Sequence, residues 1–489
     1  MTDLPNPLVE TRHHARLAQI RKWADNVASR RSRWRTRSQY FHDTDEEYLR
    51  FLIPENLRVL ELGCGTGDVL AALRPQVGVG IDISSEMIRV ASKTHPGIDF
   101  QVLDIEDVGA LEHIGRSGPF DVVLLDSTLG FLSDIQCFLE RLLGLCGPET
   151  RLVVTSHSYM WEPLFTVAAL FGRRMATPEV TWLRLSDATN LLELSSFDIV
   201  KKESRLLSPY RLFGVGSFIN RFIATLPLIQ NLCLRQYLVA RPIPRSEDIR
   251  PLSASVVIPC RNERGNIEAA VQRLPQFCDS LEIIFVEGHS EDGTWEEILR
   301  VQAAYPTRNI RSLQQSGKGK GDAVRTAFSQ ATGDVLIILD ADLTVPPEDL
   351  PKFYSAIRRG VGEYIQGSRM VYDMDSGAMR FLNRLANHCF AKIFSYLLNQ
   401  TYTDTLCGTK VLRRSHYQAI ARNRTYFGDF DPFGDFDLIF GAAKLNLKVV
   451  EIPIRYASRE YGSTQISRFR HGILLLRMVI FAWRKLKAL

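Results

Sequence analysis

The chain has 489 residues, of which 45% are hydrophobic and 24% are charged, and this composition excludes a disordered chain. Its formal net charge of +5 is too small over this length to indicate nucleic-acid binding by itself. The 8 cysteines show no paired spacing, which is typical of reduced thiols and not of a disulfide framework or a zinc site. The length allows about two to four domains.

The N-terminal residues 1–45 are predicted to form a basic helical region. Its arginines crowd around Trp34, and they are Arg30, Arg31, Arg33, Arg35 and Arg37. A solvated helix face and a contact with a membrane surface both remain open for such a cluster.

The first globular domain is expected at residues 46–243. The stretch "VLELGCGTGDVL" (59–70) predicts a strand, a glycine-rich loop and the start of a helix. Such a loop is weak evidence alone, because tight turns need glycine anyway. Three further predicted strands carry an acid at or near their ends, Asp82 in 77–82, Asp104 in 98–107 and Asp126 in 120–132. Each acid taken singly is explained by a helix N-cap, but the ordered series predicts a ligand crevice at the strand ends of an open α/β sheet.

The spacing of the glycines in this loop distinguishes a dinucleotide cofactor from other cofactors. It is G-x-G-x-G, without the wider G-x-G-x-x-G that cradles a pyrophosphate. Together with "GIDIS" (80–84) and "LDIED" (103–107), it resembles the class I S-adenosylmethionine-dependent methyltransferases over about residues 30–240. The resemblance implies S-adenosyl-L-methionine as cofactor, bound by Glu61, Gly63, Gly65, Gly67, Asp82 and Asp104.

Within that resemblance, Glu61 and the three glycines lie near the methionine end of the cofactor. Asp82 holds the ribose hydroxyls, Asp104 the adenine amino group, and Asp126 sits by the methyl-transfer centre. The methyl acceptor is not readable from the sequence. A hydroxyl acceptor would need a base, and His157 after the strand "RLVVTS" is a candidate, although a hydrogen-bonded structural histidine is the simpler explanation.

A proline-rich, charged linker is predicted at 244–253, followed by a second domain at 254–465. Strand-to-loop patterns recur in "ASVVIPCRNERGNI" (254–267) and in "EIIFVEGHSEDGTWEEI" (282–298). The Gly/Lys loop "SGKGKGDAVRTAF" (316–328) precedes a helix and suits phosphate contact, but it is not a Walker loop.

Two carboxylates follow a buried, β-branched strand in "VLIILDADLTVPPEDL" (335–350). A turn that caps the next helix is the simple explanation, yet Glu348 and Asp349 already serve that helix. Asp340 and Asp342 alternate along an extended chain, so both are expected on one side, where they suit a divalent cation.

The motif set of the second half resembles the family 2 glycosyltransferases of the dolichol-phosphate-mannose-synthase type, which have the GT-A fold. The matching stretches are "VVIPCRNE", "VEGHSEDGT", "LDADLTVPPEDL", "IQGSRM" and "DTLCGTKVLRR". The resemblance implies a nucleotide-sugar site at Pro259, Glu263, Glu287, Gly319, Asp322 and Asp340. It also implies that Asp340 and Asp342 hold Mg²⁺ or Mn²⁺ on the diphosphate.

Two departures from that family pattern stand out. Glu287 occupies a position where the family usually has an aspartate, so its contact is longer by one methylene. Leu343 and Thr344 follow the D-x-D motif, where close dolichol-phosphate synthases often have a glutamine, so the metal surroundings are expected to differ.

Two classes of sugar acceptor remain open. A polyprenyl phosphate is already ionised and needs cations to place it, for which the family's phosphate-clamping positions offer Arg369, Arg380 and Arg459. A hydroxyl acceptor needs a carboxylate base, and "FGDFDPFGDFDLIF" offers Asp435 or Asp437 just before a helix, with Asp429 and Asp431 upstream. The lipid phosphate is the favoured acceptor.

The C-terminal residues 466–489 predict an amphipathic basic helix. From Ser467 onward the chain has 6 Lys/Arg and no acid, around an apolar stretch that is too short and too charged to span a bilayer. An interfacial helix on an anionic leaflet and a terminal helix packed on the core both fit. The apolar-basic stretch 211–234 is a second candidate for membrane contact. No signal segment precedes the first domain, so a cytoplasmic protein, peripheral on the cytoplasmic membrane face, is expected.

The sequence therefore predicts an α/β protein with two Rossmann-like domains, a class I methyltransferase sheet and a GT-A domain. It predicts a bifunctional methyltransferase and inverting, metal-dependent glycosyltransferase in cell-envelope glycan assembly. One alternative is transfer to a glycan or small-molecule hydroxyl, and another is a methyltransferase-like domain that only binds cofactor. Nucleic acid is not expected as a partner, because no D/N-P-P-Y-type motif is present.

Overall fold

A computed structural model describes residues 7–172, 174–175, 177–178, 180–244, 250–372, 381–426, 436–457, 459, 461 and 468–488. Contacts within the chain divide it into two compact units. Unit 1 comprises Met1–Ile243 with Ala488–Leu489, and unit 2 comprises Pro244–Lys487.

Unit 1 is built on a seven-stranded sheet with the order β3-β2-β1-β4-β5-β7-β6. Only β7 runs antiparallel to its neighbours β5 and β6, and the other pairs are parallel. Its strands are β1 (Arg58–Leu62), β2 (Val77–Asp82), β3 (Asp99–Val102), β4 (Val122–Asp126), β5 (Arg151–His157), β6 (Phe197–Arg205) and β7 (Arg235–Pro242).

The helices of unit 1 connect these strands and cover the sheet. They are α1 (Pro7–Arg37), α2 (Gln39–Leu52), α3 (Asp68–Ala72), α4 (Ser85–Thr94), α5 (Val108–Gly115), α6 (Ile135–Leu142), α7 (Glu162–Leu170), α8 (Leu185–Leu194) and α9 (Val215–Phe218). Leu60, Val123 and Val154 of the central strands are buried, as expected for a parallel sheet covered on both faces. Ala24 and Ala28 of α1 pack against Met87 of α4, which makes the basic N-terminal helix part of this unit.

The third strand is shorter than its pattern predicts. It ends at Val102, and the N–H of Leu103 donates the last backbone hydrogen bond to the carbonyl of Asp82 at the end of β2. Asp104 therefore lies in the following turn, two residues beyond the strand. The sheet ladder cannot continue there, since Asp104 turns its carboxylate to the backbone N–H of Glu106 at 3.0 Å.

Unit 2 also has a seven-stranded sheet, with the order β10-β9-β8-β11-β13-β12-β14. Here β13 runs antiparallel between β11 and β12. The strands are β8 (Ala254–Cys260), β9 (Leu281–Glu287), β10 (Asn309–Gln314), β11 (Val335–Ile338), β12 (Tyr364–Ser368), β13 (Lys410–Arg413) and β14 (Val449–Pro453).

The core of unit 2 lies between this sheet and its helices, with Val256, Phe285, Ile337 and Phe353 fully buried. The helices are α10 (Ile267–Arg273), α11 (Thr294–Ala304), α12 (Lys320–Gln330), α13 (Leu350–Arg358), α14 (Phe381–Leu398), α15 (Arg414–Arg422), α16 (Phe436–Lys444) and α17 (Arg468–Leu486). The prediction of two α/β sheets is confirmed.

The C-terminal helix α17 has two apolar faces. Leu475, Met478 and Ala482 are buried, whereas the stripe of Ile473, Leu476 and Ile480 is more than half exposed. None of the helices in the described part of the chain combines the length and the apolarity needed to cross a membrane.

Candidate active sites

The glycine loop between β1 and α3 is shaped by left-handed backbone and close packing. Gly63, Gly65 and Gly67 have φ values of +80°, +56° and +73°, which L side chains rarely adopt. A Cβ on Gly63 would lie 2.5 Å from Oγ1 of Thr128, and one on Gly67 would lie 2.4 Å from the ring of Phe100. The loop at the carboxyl end of β1 therefore has no room for a side chain at Gly63 or Gly67.

Asp82 ties this loop to the end of β2. Its carboxylate accepts the N–H of Gly65 at 2.8 Å and the N–H of Ser84 at 2.9 Å. Burial raises the pKa of Asp82, while these two N–H groups oppose the rise. Each carboxylate oxygen keeps a second lone pair, so Asp82 can still accept hydroxyl donors from a ligand.

Glu61 is buried beneath the loop with an unsatisfied oxygen. Its side chain is 1% exposed, and its Oε2 has no hydrogen-bond partner. Burial, and then the nearby Asp126, raise the pKa of Glu61 well above its usual value. A buried carboxyl oxygen without a partner is costly, so this position suits a cationic or donating group of a ligand.

A cavity of about 490 Å³ lies at this edge of the sheet. Gly63, Asp82, Asp126 and Arg31 line it, with the apolar Leu103 and Ile105 beside the turn that holds Asp104. The guanidinium of Arg31, from α1, lies so close to Gly65 that a Cβ there would be 2.9 Å from its Cζ. This volume falls in the range of pockets that hold small molecules and cofactors.

An ion-pair network fixes the inner wall of the cavity. Arg235, at the start of β7, pairs with Asp126 and bonds Asp45 from α2 at 3.0 Å and the hydroxyl of Ser127 at 2.5 Å. Thr155 donates to Asp126 at 2.6 Å. Although burial raises the pKa of Asp126, Arg235 lowers it below the usual value, so this carboxylate stays ionised.

Two histidines and several rings line the remainder of the cavity. His157 stacks on Phe41 with centroids 5.9 Å apart, and Phe165 meets it edge-on at 5.4 Å. Burial, then Arg235 and Arg174, hold the pKa of His157 well below its usual value. Burial and Arg35 likewise lower the pKa of His42 to about 4. Both imidazoles are therefore neutral at neutral pH, and the cause of their lowered pKa values, burial beside arginines, disfavours protonation.

In unit 2 the carboxyl ends of β8 and β9 carry three of the predicted nucleotide ligands. Pro259 lies in β8 opposite Val286, and the buried Glu287 ends β9 and accepts the N–H of Ser290. Glu263 follows β8, where Asn266 donates to it at 2.7 Å. Burial raises the pKa of Glu263.

Asp340 lies two residues beyond β11 and is held by protein cations. Lys320, the first residue of α12, lies 2.7 Å from its Oδ1. Burial raises the pKa of Asp340, but Lys320 outweighs burial and lowers it. A Cβ on Gly408 would lie only 1.8 Å from Oδ2 of Asp340, so no side chain fits at that position.

Asp342 has a different cation. Arg459 donates to its Oδ2 at 2.6 Å and reaches toward Glu263, with 3.7 Å between Nη1 and Oε1. Thr344, one of the two departures from the family pattern, donates its hydroxyl to Oδ1 of Asp342 at 2.8 Å. Thr344 thus orients one carboxylate of the D-x-D pair.

The donor set of Asp340 and Asp342 fits a hard divalent cation. Both offer carboxylate oxygens, the ligands that Mg²⁺ and Mn²⁺ prefer. The described residues bring no third His, Cys, Asp or Glu into one close group with this pair. A cation here would take its other ligands from a diphosphate and from water, as is usual for Mg²⁺.

The Gly/Lys loop closes the other side of this site. Gly319 precedes α12 with φ +86°, and Asp322 accepts the N–H of Gly317 at 2.9 Å. The loop thereby places Lys320 beside Asp340.

The predicted phosphate-clamping arginines have unequal surroundings. Arg369 makes a two-point ion pair with the fully buried Asp404, at 2.6 and 2.8 Å, and Asn387 also donates to Asp404. Arg459 faces the D-x-D carboxylates as described above. Arg380 lies outside the described residues.

The candidate hydroxyl-activating bases are only partly described. Asp437 lies in the first turn of α16, and not before the helix as predicted; it accepts from Arg424 at 2.8 Å, and together they line a second small cavity with Gly441 and Lys444. Asp435, Asp429 and Asp431 lie outside the part of the chain that the structure describes.

Sequence reasoning missed several residues that the structure brings into these sites. They are Arg31, His42, Asp45 and Arg235 in unit 1, and Lys320, Asp404 and Gly408 in unit 2. Arg31 was readable only as one of five clustered arginines. Arg235 and Asp45 carry no local signal, since Arg235 meets Asp126 across 109 residues of chain and Asp45 across 190.

Family models match the two units separately. Residues 53–205 match a methyltransferase domain, and residues 255–421 match glycosyl transferase family 2. These matches confirm both resemblances predicted from the motifs.

Curated relatives match the second half of the chain. A dolichol-phosphate mannosyltransferase of Pyrococcus furiosus is 31% identical over 219 residues, which cover 44% of this chain and 59% of the relative. An undecaprenyl-phosphate 4-deoxy-4-formamido-L-arabinose transferase of Edwardsiella ictaluri is 28% identical, over 43% of this chain and 62% of the relative. The chain thus spans less than two thirds of either relative.

A comparison with solved structures gives matches of low sequence identity. A methyltransferase of Thermotoga maritima, described as S-adenosylmethionine-dependent and a possible histamine N-methyltransferase, covers 45% of this chain. Its identity is 15% and its TM-score is 0.34, and 99% of that structure is matched.

Proposed function

The chain joins a methyltransferase domain to a family 2 glycosyltransferase domain, and we propose that it is a bifunctional enzyme that transfers a sugar from a nucleotide-sugar to a polyprenyl phosphate. The observation that carries this proposal is the charge arrangement at the end of β11. There Asp340 and Asp342 each face a protein cation, Lys320 and Arg459. Such a set can hold both a diphosphate and a second anion.

The donor occupies the strand ends of unit 2. The nucleoside contacts Pro259, Glu263 and Glu287, and Lys320 with the Gly317–Gly319 backbone approaches the diphosphate. A Mg²⁺ or Mn²⁺ ion on Asp340 and Asp342 would supply charge neutralisation at the leaving nucleoside diphosphate.

The acceptor is already a nucleophile. A phosphate oxygen of the lipid attacks the anomeric carbon, the bond from that carbon to the diphosphate oxygen breaks, and configuration inverts. The leaving diphosphate keeps the electron pair, so the step needs no general base. Arg459 moves from Asp342 to the lipid phosphate, for which its planar guanidinium is suited. Arg369 stabilises the site through its ion pair with the buried Asp404. Arg380 is a further ligand of the lipid phosphate.

Unit 1 supplies the methyl-transfer site in this proposal. Gly63, Gly65 and Gly67 let the backbone approach the methionine end of S-adenosyl-L-methionine. The unsatisfied Oε2 of Glu61 suits its ammonium group, and Arg31 suits its carboxylate. Asp82 binds the ribose hydroxyls and Asp104 the adenine amino group. Catalysis is then largely orientation of the acceptor, with Asp126 fixed by Arg235 and the neutral His157 offering a hydrogen-bond acceptor at the cavity wall.

We place the enzyme at the cytoplasmic face of the membrane, in cell-envelope glycan assembly. The support is the exposed stripe of Ile473, Leu476 and Ile480 on α17, a helix whose last turn carries Arg484 and Lys485. Apolar side chains beside basic ones are typical of interfacial helices. The methyl group is expected on the same glycolipid product, a link that rests on the fusion of the two domains.

The test is a nucleotide-release assay with a panel of sugar nucleotides, Mn²⁺ or Mg²⁺, and a short polyprenyl phosphate present or absent. Lipid-dependent release that Asp342→Asn abolishes supports the proposal. The matched control is Asp349→Asn, which removes a pair with the exposed Lys352 and should leave release unchanged. Release that ignores the lipid but rises with a sugar acceptor would favour hydroxyl glycosylation, with Asp435 or Asp437 as base.

A further inference from the structure

Unit 1 exposes an unusual amount of apolar surface in two segments, 159–171 and 209–232, which together we call the apolar rim. More than half of the large apolar side chains that the described residues expose lie in these segments. Leu170 is 81% exposed, Phe171 77% and Leu228 85%, and Phe213 is fully exposed. Scattered apolar side chains are normal on a surface, whereas a contiguous patch indicates a partner.

The two segments of the apolar rim adjoin each other. The indole N–H of Trp161, from the first segment, donates to the carbonyl of Leu232 in the second at 2.9 Å. Both segments also reach the cavity of unit 1, since Phe165 and Ala168 line it from one segment and Pro209 and Tyr210 from the other. The exposed surface is therefore continuous with the wall of the methyl-transfer cavity.

The second segment holds its apolar side chains outward at a conformational cost. Leu212 and Phe213 both have left-handed backbone, with φ of +45° and +54°. Asn220 fixes the segment from inside, since its side chain accepts the N–H groups of Leu207 and Ser208 and donates to the carbonyl of Ser208. Asn220 thus ties the segment to residues 207 and 208 by polar bonds, while Phe213 in the left-handed turn stays fully exposed.

Charge identifies the kind of partner. Residues 209–232 contain Arg211 and Arg221, both exposed, and no Asp or Glu. Residues 159–171 contain a single acid, Glu162, at the start of α7. Exposed aromatic and aliphatic side chains with interspersed arginines are complementary to an anionic lipid surface, where apolar groups enter the acyl boundary and cations meet the headgroups.

We propose that unit 1 docks through the apolar rim on an anionic lipid bilayer, so that the methyl acceptor reaches the cavity from the membrane. The acceptor class that fits is an amphiphile, whose polar end enters between Phe165 and Tyr210 while its apolar part stays in the bilayer. The docking rests on residues of unit 1 alone and does not depend on the sugar acceptor of unit 2.

The first experiment locates the contact. Full-length Phe213→Trp is mixed with vesicles of phosphatidylcholine, with or without phosphatidylglycerol, that carry brominated acyl chains. The control is Leu299→Trp, at an exposed apolar position of α11 in unit 2. On phosphatidylglycerol vesicles we expect bromine to quench the tryptophan fluorescence of Phe213→Trp more than that of wild type, and salt to weaken this effect. Leu299→Trp should show no quenching beyond that of wild type. Equal signals at the two positions would overturn it.

The second experiment measures the contribution of the rim. Phe213→Ser, Phe218→Ser and Leu228→Ser together should lower affinity for phosphatidylglycerol vesicles about tenfold or more. Circular dichroism and the urea midpoint should stay at wild-type values, because these side chains are exposed. Unchanged vesicle affinity of the triple variant would overturn the proposal. So would a wild-type protein that is dimeric without lipid and a triple variant that is monomeric, because the rim would then be a dimer interface. The vesicles contain no polyprenyl phosphate, so a failure of glycosyl transfer would not affect either result.

Discussion

Arg459 joins two acidic residues of unit 2, since its guanidinium donates to Asp342 at 2.6 Å and lies 3.7 Å from Glu263. A protein cation therefore occupies a position next to the carboxylate that the proposal assigns to a metal ion. Metal binding and the Asp342–Arg459 bond compete for the same negative charge, and this competition predicts what happens when Arg459 is removed.

Arg459→Ala should raise the KM for polyprenyl phosphate and should not weaken the binding of Mn²⁺. The lost charge-assisted hydrogen bonds correspond to about 1.5–3 kcal/mol, or about 10- to 150-fold in KM. Titrations of Mn²⁺ and of the lipid in the release assay measure both constants. Arg358→Ala removes an exposed arginine of α13 and should change neither constant. A weaker Mn²⁺ dependence with unchanged lipid KM would contradict the assignment of Arg459 to the acceptor.

Arg369→Ala should act mainly on stability. It leaves the fully buried carboxylate of Asp404 without its ionic partner, and breaking one side of a buried pair costs about 3–5 kcal/mol. Urea unfolding measures this loss as a lower free energy of unfolding. The matched control is Arg273→Ala, which breaks an equally well-formed but exposed pair with Glu348 and should cost at most about 1 kcal/mol. Equal losses in the two variants would refute a structural role for Arg369.

Arg31→Ala should weaken the binding of S-adenosyl-L-methionine. Arg31 is the cation that α1 places against the glycine loop, and loss of its bond to the carboxylate costs about 1.5–3 kcal/mol. Calorimetry with the full chain measures the change directly. Arg33→Ala, in the same cluster but exposed, should bind as wild type does. If both variants bind equally well, α1 does not contribute a ligand.

His42 should make unit 1 less stable in mild acid. Its pKa is lowered from 6.5 to about 4 in the folded chain, so the unfolded chain binds the extra proton first as the pH falls. The stabilisation is complete above pH 6.5 and is lost between 6.5 and about 4, at up to about 1.4 kcal/mol per pH unit. His42→Gln should flatten the pH dependence of the unfolding free energy in this window. His113→Gln, at an exposed position, should leave it as it is.

The order of elements and the strand-end acids were predictable because they are local patterns. Glycines in a strand-to-helix loop, and aspartates after buried strands, show themselves within a dozen residues, as with Gly63 to Asp68 and with Asp340. The third strand was predicted too long, because the apolar alternation continues through Leu103 and Ile105 even though the turn at Asp104 ends the ladder.

The partners of these acids were not predictable, because they come from distant segments. Asp126 is held by Arg235 of β7 and shares this arginine with Asp45 of α2. Asp404 and Arg369 meet across 35 residues. Local sequence patterns do not indicate such pairs, because each of these residues taken alone is indistinguishable from an ordinary surface charge. The role of Gly408 was hidden for a similar reason, because only the fold places its Cα against Asp340.

The most direct test of the central claim is the mass of the lipid product. Full-length enzyme is incubated with a polyprenyl phosphate, the sugar nucleotide that supports release, and Mn²⁺, and the organic phase is analysed by mass spectrometry with and without S-adenosyl-L-methionine. We expect the lipid phosphate plus one glycosyl unit, absent in Asp342→Asn, and a further methyl group when the methyl donor is present. Unmodified lipid despite nucleotide release, with the sugar recovered in the aqueous phase, would contradict it.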